Sequence, residues 1–180
     1  MKNKKNFKSL LSIFVRYLIL IITGIPNFWL FYFLFTPLTV YVCYFFLRIF
    51  YENTLLMSNI ILVNSIPIEI IEACVAGSAY YLMLILNLSI PNIKIKKRLL
   101  LLLFSFSLFF VVNIIRIIVS SSILVSGATW FDFAHRLFWY VGSIVFVVGI
   151  WFLSVKLFKI KEIPFYTDIK YLFSLAKKKS

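Results

Sequence analysis

Residues 94–124 read KIKKRLLLLLFSFSLFFVVNIIRIIVSSSIL, a basic cluster from Lys94 to Arg98 opening onto an apolar run, Leu99 to Leu124, that one charge, Arg116, interrupts. About 20 residues at ~1.5 Å each cross a hydrocarbon layer of ~30 Å, so the run is long enough to span a bilayer as a helix. A charge within a span is costly and usually functional. Arg116 lies about 26 Å along the axis from Leu99, near the far surface from the basic cluster.

The rest of the chain fits the same solvent. Apolar residues make up 63% of it, with 21 Phe and 10 Tyr, against about 45–50% in soluble domains. A core of 180 residues cannot hide that much apolar surface, so the chain needs lipid. It reads as one domain, 1–180, without internal repeats or a Gly/Ser-rich linker. The opening MKNKKNFK followed by apolar sequence resembles a signal peptide, but the run Leu10 to Phe35 is too long for one and lacks a small-residue cleavage site. A retained anchor helix is expected.

Hydropathy thus predicts an all-α integral membrane protein with about four transmembrane helices, at 10–35, 73–90, 99–124 and 137–158. The stretch 38–51 is short, follows Pro37 and ends in Arg48, Tyr51 and Glu52, which predicts a helix lying in the interface. Charge supports that assignment. Lys2, Lys4, Lys5 and Lys8 precede the first span, Lys94 to Arg98 precede the third, and seven lysines follow from Lys156 onward. The positive-inside rule puts all three groups in the cytoplasm. Residues 36–72 then stay outside as a unit, which requires that 38–51 does not cross; if it crossed, KIKKR would be exported.

Within that outer segment, residues 58–72 read SNIILVNSIPIEIIE. Two β-branched runs flank Asn64-Ser65, a hairpin signal, and Pro67 confines its strand to an edge. An irregular loop packed on the helix ends is the alternative. The tail, 159–180, alternates apolar and basic groups, which predicts a cytoplasmic segment held on anionic lipid by Phe165, Tyr166, Leu172, Phe173 and lysines.

The side chains able to do chemistry are few and one-sided. Of the six acidic residues, Glu52, Glu69, Glu72 and Asp132 fall in the segments placed outside, as do Arg116, His135 and Arg136. Cys74 opens an inward-running helix in the string Glu72-Ala-Cys-Val-Ala-Gly77. The positive helix end and a nearby arginine favour the nucleophilic thiolate, while Glu72 opposes it. Free cysteine is also a common core residue, and Cys43, among Tyr and Phe, is read that way. Arg116 could instead snorkel to lipid phosphate; Asn113, one turn earlier on the same face, could hold its guanidinium. His135, the only histidine, suits a general base. The helix end favours its neutral form, and Asp132 would favour the charged form and could orient the ring.

Absences narrow the field. One histidine and two cysteines make a zinc site improbable and are too few for a disulfide scaffold. No Gly-rich phosphate loop or G-x-S-x-G elbow occurs, so no cofactor is expected. Topology accounts for the basic excess, which leaves nucleic-acid binding unnecessary.

At these residues the sequence resembles the exosortase/archaeosortase family of membrane transpeptidases. The match lies in Glu72-Ala-Cys74-Val-Ala-Gly77, then Asn113-Ile-Ile-Arg116-Ile117, then His135, within roughly 37–158. The resemblance implies Cys74 as nucleophile, Arg116 as oxyanion stabiliser and His135 as proton donor and acceptor. It also implies a substrate class: exported proteins ending in a short motif, one transmembrane helix and a basic cluster. These are cleaved at the motif, and the new carboxyl end passes to an acceptor, in archaea thought to be a lipid. The short length resembles that of the compact archaeal forms, whereas many members carry a longer set of helices ahead of this core. The competing expectation is a non-catalytic membrane scaffold or small transporter subunit, with Arg116 a structural or ion-pathway charge.

Overall fold

The computed structural model describes residues 2–160 together with 164, 166, 168–170 and 173. The chain is mostly helical. Its elements are α1 (Lys2–Gly24), α2 (Trp29–Phe50), β1 (Thr54–Met57), β2 (Ile60–Val63), β3 (Ile66–Glu69), α3 (Glu72–Val75), α4 (Gly77–Leu88), α5 (Ile95–Val125), α6 (Phe131–Leu137) and α7 (Ser143–Leu157). A π-helical segment, Phe138–Gly142, joins α6 to α7. Three helices are long and apolar enough to cross a membrane: Trp29–Phe50, Ile95–Val125 and the continuous Phe131–Leu157.

The N-terminal third differs from the expected single helix over 10–35 followed by a separate interfacial helix over 38–51. The first helix stops at Gly24, and Asn27 and Phe28 take left-handed backbone with φ of 45° and 59°. The residues expected to form the interfacial helix belong to α2, which runs without interruption through Pro37. The break falls at Gly-Ile-Pro-Asn, where glycine, proline and asparagine together supply turn chemistry. Proline at position 37 costs only the local ladder bond, which an apolar helix with packed neighbours tolerates.

Side-chain contacts show how α1 and α2 lie. Arg16 donates to the carbonyls of Leu88 and Ile90, and Tyr81 donates to that of Leu20. Phe28 then packs on Tyr81 and Tyr32 lies against Gly77. Both helices therefore run antiparallel to α4, one after the other.

The core is aromatic where α2, α4 and α5 meet. Phe35 stacks on Tyr80 at 3.9 Å between ring centroids, and Phe106 and Phe109 meet Tyr80 edge-on. At the opposite end from the sheet, Arg98 donates to the carbonyls of Asn87, Leu88 and Ile90, satisfying the α4 C-terminus alongside Arg16. Arg16 also holds Asp168 through two bonds of 2.9 and 2.8 Å. The lipid-held tail expected over 159–180 lies mostly outside the described residues.

The expected hairpin is present and larger than predicted. Three antiparallel strands follow the order β1-β2-β3. Asn64 and Ser65, both with positive φ, form the second turn, and Pro67 sits on the edge strand β3, opposite Leu62. Ile61, Val63, Ile68 and Ile70 are buried, so one face of the sheet closes the helix ends.

Candidate functional site

Where β3 ends, Ile71 stays extended and caps α3, a single turn that carries Cys74. The Cys74 N–H donates to the Ile71 carbonyl at 2.8 Å. Ala76 then adopts left-handed backbone, φ 60° and ψ 47°, so α3 does not continue into α4. This differs from the expected single helix over 73–90, in which Cys74 lay in the first turn. The physical consequence is local: the break frees the Cys74 carbonyl from any helical partner.

Two side chains of α5 claim that carbonyl. Asn113 Nδ2 donates to it at 2.9 Å, and to the Val75 carbonyl at 3.4 Å. Arg116 Nη2 donates to it at 3.0 Å. Asn113 is buried and Arg116 half-buried. The remaining guanidinium nitrogens, Nε and Nη1, have no protein partner among the described residues. Gly77 matters for a related reason. A Cβ there would lie 2.7 Å from the Tyr32 ring, so α2 approaches the start of α4 only because residue 77 lacks a side chain.

Cys74, Arg116 and His135 line one pocket of about 140 Å³, walled by Pro67 to Glu69 of β3 and the following Ile70, by Ser120, Ser121 and Leu124 of α5, and by Phe131 and Phe138. The three residues come from α3, α5 and α6, separated by long stretches of sequence. A guanidinium with free N–H groups beside a thiol stabilises negative charge on the sulfur or on an oxygen held near it. Burial of the thiol opposes this most strongly, and Glu69 on the same wall adds to the opposition.

His135 does not open the last helix; it lies a turn inside it, because α6 starts at Phe131. Its ring stacks on Phe131 at 5.5 Å and leans on Trp139 at 6.4 Å. Asp132 is exposed and makes no hydrogen bond or ion pair among the described residues, so it does not orient the imidazole as expected; the aromatic neighbours hold it. Glu72 is exposed too and lines a separate groove with Tyr32, Trp139 and Tyr140. Cys43 is fully buried.

Sequence reading overlooked Glu69, Ser120 and Ser121. The serines carried a signal: they are polar groups in an apolar helix, one turn beyond Arg116. Glu69 carried one only through its place at the end of β3. Among the described residues no group of His, Cys, Asp and Glu could hold a metal. No family model matches the chain, and neither a curated protein nor a solved structure matches it.

Proposed function

We propose that the chain is a membrane cysteine transpeptidase of the exosortase/archaeosortase kind, acting on the C-terminal sorting signal of exported proteins. The observation that carries this reading is the convergence of Cys74, Arg116 and His135 on one pocket. In the reading, His135 takes the Cys74 proton as Sγ attacks the scissile carbonyl carbon. The free guanidinium N–H groups of Arg116 meet the oxyanion, a contact made only as charge develops. The carbon–nitrogen bond breaks, His135 gives its proton to the leaving amine, and a thioester remains. An acceptor hydroxyl, that of a lipid in this reading, then gives its proton to His135 and attacks the thioester; His135 returns the proton to sulfur.

The same proposal includes a topology. The broken traverse α1–α2, the helical stretch Glu72–Leu88, α5 and the stretch Phe131–Leu157 would make four crossings, with both termini and Lys94 to Arg98 in the cytoplasm and the sheet and pocket outside. Counting α1 and α2 as one crossing keeps this parity even though 38–51 continues α2 and does not form a separate helix.

A second reading has one specific observation in its favour. Because Arg116 already donates to the Cys74 carbonyl, it could serve only to tie α5 to α3 in a non-catalytic scaffold. Processing separates the two. In the strain that naturally carries this chain, Cys74→Ser should leave the protein inserted while exported proteins keep their C-terminal helices, and Cys43→Ser should process normally. Full processing by Cys74→Ser would end the transpeptidase reading.

A further inference from the structure

β3 is an edge strand, and the pocket runs along it from Pro67 to Glu69 and on to Ile70 just beyond its end. Its backbone alternates in direction. Ile70 N–H donates to Asn59 at 2.9 Å, and Ile68 pairs with Ile61, so residues of that phase face β2. Pro67 and Glu69, in the other phase, turn their main-chain groups outward. Among the described residues no other element bonds to the N–H or C=O of Glu69. A few residues further along the chain stands Cys74.

Unpaired main-chain groups on an edge strand are a template for pairing with another extended chain. A peptide backbone presents both a donor and an acceptor at the required spacing; an acyl chain presents neither. The pocket volume, about 140 Å³, is close to that of a cavity of ~150 Å³ that admits a benzene-sized group, so it takes one side chain. Pro67 has no N–H to give, which stops the ladder one pair away from Glu69.

We propose that the substrate docks as a short extended peptide segment that adds to β3 as a fourth strand. One of its residues exchanges main-chain hydrogen bonds with Glu69 and places its side chain in the pocket, which carries the following carbonyl toward Cys74. This docking mode rests on the reading of Cys74 as the nucleophile. It is strand addition, in which main-chain bonds supply affinity and a pocket supplies selectivity.

Alkylation of Cys74 tests both parts separately, with the alkylated cysteine identified by peptide mass in the full chain. The probes are acetyl-tetraalanyl chloromethyl ketone, the same reagent with N-methylated amides, and iodoacetamide. Glu69→Pro deletes the outward N–H and no bond to β2. The ratio of peptide-reagent rate to iodoacetamide rate should fall about fivefold to tenfold in Glu69→Pro, the worth of about one hydrogen bond. N-methylation should lower it at least as much on the unaltered chain, a result independent of how the proline variant folds. An unchanged ratio for the N-methylated reagent overturns strand addition. Absence of Cys74 alkylation by all three reagents overturns the nucleophile reading, and the docking mode with it.

Discussion

A lysine at position 116 would keep the positive charge and could reach lipid phosphate as well as arginine, but it would lose the planar fork. In the native chain one guanidinium nitrogen is already committed to the Cys74 carbonyl, so a second function needs the others. Arg116→Lys should therefore accumulate to parental levels and lose on the order of 10²–10³ in processing rate, the effect of removing one oxyanion donor. Near-parental processing would return Arg116 to a tie between α5 and α3. Asp168 gives a prediction about stability alone. Its carboxylate faces Arg16 with both groups buried, and removing one partner of such a pair leaves a costly charge. Asp168→Ala should lower stability by about 3 kcal/mol, read as a fall in thermal unfolding temperature in detergent; no change would mean that water reaches Arg16 instead. At this scale the sequence was informative where a residue type was out of place. Arg116 and Asn113 stood out because charge and amide are rare in an apolar run, and Cys74 because a thiol opens an apolar segment. The carbonyl that Asn113 and Arg116 share did not, because it depends on left-handed backbone at Ala76, a residue with no sequence preference for that conformation.

Among the elements, hydropathy showed that apolar segments exist and misplaced where one ends. The run 10–35 looked continuous because lipid-facing and core-facing residues are equally apolar, while Gly24 and the Pro26-Asn27 pair marked the break. β1 was missed because TLLM reads as well in a helix as in a strand, and only pairing with β2 makes it a strand. β3 was legible through Pro67, whose missing N–H fits only an edge. Close helix approach depends on single residues in the same way. Gly77→Ala would place a methyl group 2.7 Å from the Tyr32 ring and should destabilise by ~1–3 kcal/mol, the cost of overpacking. Tyr32→Leu in the same chain should recover most of that loss. Thermal unfolding of the single and double variants checks it, and additive losses would mean that the two residues do not meet.

For the whole molecule, the antiparallel packing of α1 and α2 on α4 fixes which end of α4 lies beside which end of α2, and the proposed topology then takes its side from the charge clusters. Single cysteines introduced into residues 53–70 should react with a membrane-impermeant maleimide in intact cells, and those in 92–98 only after lysis. The opposite pattern would place the pocket in the cytoplasm, away from exported substrates. The central claim is that Cys74 and His135 act as one catalytic unit, and residues that act as a unit are not additive. Its most direct test is the initial rate at which a pulse-labelled exported protein loses its C-terminal helix in cells carrying Cys74→Ala, His135→Ala or both. Each single variant should fall to the same low floor, and the double variant should fall no further. A His135→Ala rate near the parent's, or losses that add in the double variant, would contradict it.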